Sequence, residues 1–293
     1  MASIVTSLLI ASIKGISQLP FGWTQGLGRT LGKGLLRFDK RSVSAIRKNL
    51  DFCFPELSKQ QQAQIAKARL GFMGQTLTEM SHLWVKDPAQ IRQYLTPSDN
   101  LEFEQALASD GGVIILAPHL GNWEMLNFYV SQFRNMTVMY RPQKDSQLDE
   151  FILKARQRVG SELAPTNRKG VMQLMKALKN NGLVGILPDQ VPQQGSGVFA
   201  PFFGLPAYTM TLASQLSKKT NAKVFVGAAF QVNGGYQVVV QPVPEGFYGA
   251  DEVQSATALN QAIESLVRLH PEQYQWEYKR FKLQPEGQPS LYK

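Results

Sequence analysis

The sequence contains little cysteine and little histidine, and this scarcity excludes two kinds of site. A single cysteine, Cys53, stands in a chain of 293 residues, so no disulfide can form within the chain. This is typical of a protein from a reducing compartment. The three histidines, His82, His119 and His270, are far apart in the sequence and match no zinc-binding spacing. We therefore expect no metal site.

Acidic residues are fewer than basic ones, since 22 Asp and Glu oppose 31 Lys and Arg and leave a formal net charge of +9. A positive excess of this size favours an anionic partner: nucleic acid, an anionic membrane surface or an acidic carrier protein. Nucleic acid is the weakest of the three, because the sequence has no aromatic RNA-binding motif and no compact basic recognition helix. We therefore predict no nucleic-acid partner.

The N-terminus has no long uninterrupted apolar run. Residues 1–19 are mostly apolar, but they include several serines and one charge, Lys14, and they are short for a transmembrane helix. They also lack the basic start and the small-residue cleavage site of a signal peptide. The segment is predicted to be an amphipathic or shallowly inserted helix.

The residues that follow carry two rows that recur every four positions. One row is apolar, with Leu27, Leu31 and Leu35, and the other is basic, with Arg29, Lys33 and Arg37. On a helix these rows lie roughly 200° apart, an arrangement typical of a helix that lies on an anionic membrane. The alternative is an ordinary surface helix that packs its leucines against the core. We interpret residues 1–40 as a membrane-associating segment and residues 41–293 as the main domain.

The rest of the chain alternates between helical and strand patterns, after a helical stretch from 58 to about 91. Predicted strands cover 113–117, 136–140, 183–187, 223–230 and 236–241. Predicted helices cover 122–132, 147–158, 169–180, 209–220 and 255–269. This alternation indicates an α/β fold with a central, mostly parallel sheet flanked by helices. The tripeptide Asn233-Gly234-Gly235 predicts a tight hairpin, so an antiparallel pair should close the sheet.

The most informative segment joins a short apolar strand to a helix. Pro118 ends the strand that begins at Val113, since proline has no N–H group for the strand ladder, and Asn122 is a good helix N-cap. His119 therefore lies at the carboxyl end of a buried strand, where open α/β sheets bind ligands. Glu124 falls in the first helical turn, where its carboxylate can accept from one imidazole nitrogen and leave the other as a base. The alternative is that His119 is a hydrogen-bonded loop residue and Glu124 a helix-terminal charge.

Other polar residues follow predicted strands and are candidates for substrate binding. Arg141 comes directly after the strand 136–140, where its guanidinium can bind a phosphate, assist an oxyanion or form a salt bridge at the sheet edge. Arg168 opens a helix, whose N-terminal amides favour an anion, although a solvated helix start fits nearly as well. Asp189 follows the strand 183–187 and is expected to orient Arg141 or Arg168, or to cap its own turn. Asn122 is the last of the polar residues that we expect to contact substrate.

The segment Ala117–Glu124, with the sequence APHLGNWE, resembles the motif of the bacterial lipid A biosynthesis acyltransferases. These late acyltransferases add secondary acyl chains, and their superfamily, the lysophospholipid/glycerolipid acyltransferases, has a histidine and an acid separated by four residues. The resemblance extends from about Arg41 to Lys282. Further matching motifs occur in order: Asn49-Leu50, Phe54-Pro55-Glu56, Tyr140-Arg141-Pro142, Asn167-Arg168-Lys169-Gly170, Pro188-Asp189-Gln190, Phe202-Phe203-Gly204 and Pro271-Glu272-Gln273-Tyr274-Gln275-Trp276.

The resemblance implies an activity and its co-substrates. The implied donor is an acyl-carrier-protein thioester, with no cofactor, and the implied acceptor is a hydroxyl of a phosphorylated lipid A precursor at the cytoplasmic face of a Gram-negative inner membrane. It also implies that residues 41–293 form the acyltransferase domain and that Phe202 lies in an apolar loop, 199–206, beside the acyl-chain pocket.

In such a reaction His119 is expected to act as the general base, with Glu124 orienting its ring. Because no serine occupies a Gly-x-Ser-x-Gly elbow, we expect direct transfer without an acyl-enzyme. Three alternatives are open: an acyltransferase for another glycolipid or lysophospholipid, an acyl thioesterase, and a non-catalytic peripheral membrane-binding protein.

Overall fold

A computed structural model of the chain describes residues 2–35 and 39–292. The chain is helical up to the first strand. Its helices there are α1 (Ala2–Ile16), α2 (Phe21–Leu35), α3 (Lys40–Cys53), α4 (Lys59–Val85), α5 (Pro88–Arg92) and α6 (Leu101–Ala108). The helical stretch predicted from 58 is confirmed. Its start is a capping box, in which Ser58 and Gln61 each accept a hydrogen bond from the other's backbone N–H.

Strands and helices then alternate, as predicted. The strands are β1 (Val113–Leu116), β2 (Met136–Tyr140), β3 (Ser161–Pro165), β4 (Leu183–Ile186), β5 (Gly197–Phe202), β6 (Leu205–Met210), β7 (Lys223–Val232) and β8 (Gly235–Pro242). The helices are α7 (Trp123–Ser131), α8 (Ser146–Arg158), α9 (Arg168–Lys179), α10 (Leu212–Thr220) and α11 (Glu252–Leu269), with short 3₁₀ helices at Glu245–Tyr248 and Pro271–Gln273.

Six of the strands form one sheet in the order β3-β2-β4-β1-β7-β8. Every pair is parallel except the last, β7 with β8, so the predicted fold class is confirmed. The predicted hairpin is confirmed as well, since Val232 pairs with Gly235 across a turn in which Gly234 has a φ of 81°. All residues of the two central strands, β1 and β4, are buried, which explains their uninterrupted apolar sequences.

Helices cover both faces of this sheet. One hydrophobic cluster joins a face of the sheet to α6 and α7, and a second joins the opposite face to α3, α9, α10 and α11. Successive residues of β1 alternate between them, so Ile115 belongs to the first cluster and Ile114 to the second. With both faces covered, the carboxyl edge of the parallel strands is the part of the sheet that can form a site.

Strand β3 and the β5–β6 hairpin differ from the sequence prediction. Strand β3 is absent from it, because the sequence Ser-Glu-Leu-Ala-Pro has no apolar run and lies at the edge of the sheet. Residues 199–206 are not a loop, since they form most of the β5–β6 hairpin, with Phe203 and Gly204 at φ values of 50° and 76° in its turn. The helix predicted from 209 therefore begins later, at Leu212.

Helix α2 packs against α4 through glycines. A Cβ atom at Gly32 would overlap the carbonyl oxygen of Leu70, and one at Gly28 would overlap the side chain of Thr78. Only residues without a side chain allow two helices to approach so closely. Gly28 and Gly32 are thus the residues that allow α2 to pack closely against α4.

The leucine row of α2 faces away from the protein. Leu27 and Leu31 are 38% and 54% exposed, so the alternative in which these leucines pack against the core is wrong. The side chain of Leu35 and all of Arg37 lie outside the described residues. In the two described ranges, 2–35 and 39–292, no helix is both long and apolar enough to cross a membrane. The membrane contact and the division at residue 40 stay predictions.

Candidate active site

Backbone hydrogen bonds to two other segments hold the loop after β1 in place. The N–H of Gly121 donates to the carbonyl oxygen of Gln273 at 3.1 Å, and the N–H of Asn122 donates to that of Ala229 at 2.9 Å. Gly121 has a φ of 64°, and a Cβ atom there would overlap the carbonyl oxygen of Ala229. The position therefore requires glycine, and these hydrogen bonds fix where His119, two residues earlier, can lie.

His119 is paired with Asp189. Its Nδ1 lies 2.8 Å from Oδ1 of Asp189, and its backbone N–H donates to Oδ2 at 2.9 Å. The pairing follows from the sheet, because β1 and β4 are neighbours and Leu116 is in register with Ile186. Each of the two functional residues lies three positions beyond its strand's last paired residue.

This pairing corrects two predictions. Asp189 was expected to orient Arg141 or Arg168, and Glu124 was expected to orient His119. Instead, the carboxylate that holds the imidazole belongs to Asp189, because β4 lies directly beside β1. Glu124 lies on α7 with other partners.

The electrostatics of the pair favour its charged form. Burial opposes a protonated imidazole, but the charge of Asp189, its hydrogen bond and the charge of Glu277 outweigh burial and raise the pKa of His119 above its ordinary 6.5. Burial likewise opposes ionisation of Asp189, yet the charge and hydrogen bonds of His119 lower the pKa of Asp189. A carboxylate on Nδ1 also leaves Nε2 as the nitrogen that can accept a proton.

A cavity of about 290 Å³ lies against the imidazole. Nε2 of His119 lies 3.3 Å from Nε2 of Gln190, which also donates to Oε1 of Gln275 at 3.2 Å. The cavity is lined by side chains of α4, the loop after β1 and the C-terminal segment: Arg69, Met73, Thr76, Leu77, Met80, His119, Gly121, Trp123, Gln275 and Glu277. A substrate hydroxyl in this cavity can therefore approach Nε2 of the ring in place of the Gln190 amide.

Glu124 forms a buried ion pair with Arg156 of α8. Its Oε1 accepts from Nη2 and Nε of Arg156 at 2.9 and 3.1 Å and from Nε1 of Trp84 at 3.1 Å. The Arg156 guanidinium also lies 4.8 Å from the ring centre of Trp123 and 5.2 Å from that of Tyr140. The arginine is thus held in one orientation beside the tryptophan that lines the His119 cavity.

Asn122 belongs to a buried polar cluster. As predicted, it is the N-cap of α7, with its Oδ1 accepting from the N–H of Met125 at 3.2 Å. Its Nδ2 donates to the hydroxyl of Tyr236 at 3.0 Å, and that hydroxyl donates to Glu79. Burial raises the pKa of Glu79, although these hydrogen bonds oppose it. Because Asn122 is fully buried, its placement corrects the expectation that its side chain contacts substrate.

The remaining predicted site residues differ in how far they are buried. Arg141 follows β2 at the carboxyl edge, as predicted, and Arg168 opens α9, as predicted, directly after the unpredicted strand β3; both are exposed. Their role in binding an anion stays a prediction. Phe202 is 1% exposed and lies under the guanidinium of Arg280, at 5.7 Å from its ring centre. It is a core residue of the hairpin, which corrects its assignment to a loop, while its place beside the acyl chain stays a prediction.

The sequence profile of the bacterial lipid A biosynthesis acyltransferases matches residues 1–283 of the chain. The chain belongs to this family. It is therefore an acyltransferase.

Three relatives within this family come from Escherichia coli K12. The lipid A biosynthesis lauroyltransferase is 29% identical over 281 residues, which cover 94% of this chain and 91% of the relative. The palmitoleoyltransferase is 28% identical over 278 residues, or 94% and 90% of the two chains. The myristoyltransferase is 25% identical over 291 residues, or 97% and 88%. Their names specify three acyl chains, so membership of the lipid A acyltransferase family leaves the chain length of this protein open.

Sequence reasoning missed Arg156 in this acyltransferase and gave Asp189 the wrong partner. Arg156 lies near the end of a predicted helix, where a basic residue is ordinary, and nothing in its spacing indicates a buried ion pair. Asp189 does carry a signal, because a Pro-Asp pair follows its strand just as Pro118-His119 follows β1. Using that signal requires the strand order, which local patterns do not give.

Proposed function

We propose that this acyltransferase moves a fatty acyl chain from an acyl-carrier-protein thioester to a hydroxyl of a phosphorylated lipid A precursor. The names of the relatives support the acceptor class, and the resemblance of the motifs supports the donor. The observation that carries the chemistry is the pair of His119 and Asp189, in which Asp189 engages Nδ1 of a histidine that lines a cavity.

In the proposed reaction, Nε2 of His119 accepts the proton of the acceptor hydroxyl as its oxygen attacks the thioester carbonyl carbon. A C–O bond forms, the C–S bond breaks, and the proton passes from His119 to the leaving thiolate. Asp189 holds the ring and stabilises the imidazolium that forms between the two proton transfers. No acyl-enzyme is needed, since the acceptor oxygen is the nucleophile.

Glu124 acts through Arg156 in this mechanism rather than through the imidazole. Its carboxylate fixes the guanidinium against the ring of Trp123. A cation held in place in a partly buried site stabilises the negative charge that develops on the thioester carbonyl oxygen. The family's acidic residue is thus proposed to position the cation that assists the oxyanion.

We further propose that the protein works on an anionic membrane, at the cytoplasmic face of a Gram-negative inner membrane. Its N-terminal helices expose large apolar side chains, which are Ile4, Val5, Leu8, Leu9, Trp23, Leu27 and Leu31. Exposed apolar side chains together with the net charge of +9 suit an anionic interface. On α4, Leu77 is 61% exposed and also lines the His119 cavity, which suits an acceptor that arrives from a lipid surface.

The test is a reaction of the purified full-length protein with a series of acyl-carrier-protein thioesters, with and without the phosphorylated glycolipid. The expected product is a glycolipid heavier by one acyl group, absent with His119→Ala of unchanged thermal stability. The variant Gln288→Ala, an exposed C-terminal position, serves as the matched control and should retain full activity.

Two other results would replace this proposal. Rapid thioester hydrolysis with no acylated lipid would indicate an acyl thioesterase, in which the pair of His119 and Asp189 activates water. An acylated product on a lysophospholipid or a different glycolipid alone would place the same chemistry on another acceptor.

A further inference from the structure

A second cavity lies inside the protein, between the sheet and α7. Its volume is about 140 Å³, and its walls are mostly apolar, with Asn127 and Arg156 as the polar contributors. The sheet contributes Ile115, Met136, Val138 and Gly185, and α7 contributes Leu126 and Val130. The cavity is separate from the one that contains His119, and the reaction described above does not account for it.

One row of side chains in the wall of the cavity lacks its middle member. Ile115, Gly185 and Val138 lie at the same level on three adjacent strands, since Gly185 pairs with Ile115 on β1 and with Val138 on β2. Side chains at one level of a parallel sheet point to the same face, so the middle position of this row is empty. A Cβ atom at Gly185 would lie 2.7 Å from both Cγ1 of Val138 and Sδ of Met136. The end of the Met136 side chain therefore lies over the gap.

The cavity adjoins the catalytic edge of the sheet. Trp123 lines this cavity and also the cavity that contains His119. Arg156 contributes to the wall as well, with its guanidinium stacked on the Trp123 ring. Ala117, two residues before His119, lies at the same end. Trp123 therefore forms the wall between the two cavities, and a chain whose reacting carbon lies at His119 reaches this space only if the Trp123 side chain moves aside.

We infer that this cavity receives the methyl end of the donor's acyl chain and that Gly185 and Met136 set the length of chain accepted. The inference rests on the proposed transfer of an acyl chain. An apolar cavity of roughly this volume in a protein core stays dry and binds benzene, so it holds about six carbons of a chain. A charged or hydroxylated ligand has few partners on these walls, whereas methylenes gain by leaving water.

The experiment measures chain-length preference and not only activity. The full-length enzyme is incubated with the phosphorylated glycolipid and an equimolar mixture of saturated acyl-carrier-protein thioesters from eight to eighteen carbons. Mass spectrometry then identifies the acylated products. Gly185→Ala should shift the preferred chain to a shorter one, and Met136→Ala to a longer one. Each methylene gained or lost from the cavity should change relative use by roughly fourfold, or about fifteenfold for two carbons.

Two further variants distinguish a change in the depth of the cavity from a general loss of stability. Val184→Ala removes volume from the neighbouring position of β4, on the opposite face of the sheet, and should leave the chain-length distribution unchanged. In the double variant Gly185→Ala/Met136→Ala, the new methyl group at position 185 fills part of the space left by the Met136 side chain. The distribution of chain lengths should therefore return close to that of the wild type. Met136→Ala and the double variant keep the test decisive if Gly185→Ala alone does not fold.

The outcomes distinguish this inference from the proposed function. An unchanged distribution in Met136→Ala and in every folded variant at Gly185, with transfer intact, would overturn the inference and leave the activity standing. An equal shift in Val184→Ala would also overturn it, because the preference would then follow core stability. No acylated lipid from the wild type with any donor would instead contradict the proposed function.

Discussion

The imidazole of His119 and the carboxylate of Asp189 occupy equivalent positions just beyond the ends of two neighbouring parallel strands. Leu116 of β1 and Ile186 of β4 are paired in register, and each functional residue lies three positions farther along its chain, directly after a proline. The catalytic pair is therefore fixed by the register of the central strands.

The first prediction concerns the dependence of transfer on pH. The rate should rise with pH through a pKa above 6.5, because His119 must be unprotonated to act as a base and its pKa is raised. In Asp189→Asn the charge that raises this pKa is lost while burial, which lowers it, stays. The acid limb should therefore move to lower pH, and the maximal rate should fall roughly a hundredfold or more because the imidazolium loses its partner.

The control for this measurement is Glu150→Gln, which removes an exposed carboxylate that pairs with Lys154. Its pH profile should match the wild type, because its charge lies in solvent and is screened. An Asp189→Asn enzyme that keeps both its rate and its acid limb would show that another group is the base.

The second prediction concerns the ion pair between Glu124 and Arg156. Arg156→Met should abolish transfer and destabilise the fold by about 3–5 kcal/mol, because it leaves the buried Glu124 carboxylate without its cation. The double variant Glu124→Gln/Arg156→Met removes both charges and should recover most of the stability without recovering transfer. Denaturant unfolding and single-turnover transfer measure the two effects separately.

Lys154→Met is the matched control, since it lies on the same helix but is exposed. It should change neither quantity measurably. Transfer at the wild-type rate in the stable double variant would mean that the ion pair is only structural.

The sequence predicted the centre of the fold better than its edges. β1 and β4 are buried on both faces, so their apolar runs identify them. The Asn233-Gly234 turn identifies the closing hairpin in the same way. β3 and the β5–β6 hairpin have exposed positions in mixed sequences, so no local pattern reveals them.

In the candidate site too, the sequence predicted the local features better than the contacts between distant segments. His119 could be placed from the strand that ends before it, because that signal is local. Its pairing with Asp189 depends on β4 lying beside β1, and the pair of Glu124 and Arg156 depends on α8 lying beside α7. Such contacts arise from tertiary packing, which periodicity and propensity do not encode.

The third prediction concerns Arg141 and Arg168, exposed at the carboxyl edge of the sheet. If they contact phosphates of the acceptor, Arg141→Ala and Arg168→Ala should raise the acceptor KM by up to about tenfold, an effect that weakens as salt increases. Hydrolysis of the donor without acceptor should not change. Lys179→Ala, exposed at the far end of α9, is the control. Equal losses of hydrolysis and transfer would assign these arginines to the donor.

The fourth prediction concerns the contact between α2 and α4. Gly32→Ala should destabilise the protein by about 1–3 kcal/mol, since its Cβ atom would overlap the Leu70 carbonyl and force the helices apart. Gly26→Ala is the matched control, because nothing lies within 4 Å of its Cβ position. That substitution should be neutral or stabilise by about 0.5–1 kcal/mol through helix propensity. Urea unfolding of both variants decides whether α2 is held by this contact, and equal stabilities would contradict it.

The fifth prediction concerns the surface that α2 presents. Leu27→Gln/Leu31→Gln should weaken binding to liposomes at every salt concentration, because the two exposed leucines are the apolar part of the proposed contact. Arg29→Gln/Lys33→Gln should weaken binding roughly thirtyfold at low salt and little at high salt, given about 1 kcal/mol for each basic residue near an anionic surface. Sedimentation with anionic and zwitterionic vesicles separates the two contributions.

The control for this surface is Leu269→Gln, which changes an exposed leucine at the end of α11. It alters the hydrophobicity of the protein by half as much as the α2 double variant, but at a different place, and should leave binding unchanged. If the α2 variants sediment like the wild type, the exposed leucines do not contact the bilayer. A loss in the basic variant alone would show that α2 lies near the headgroups without inserting its leucines, since charge acts across a Debye length and apolar contact does not.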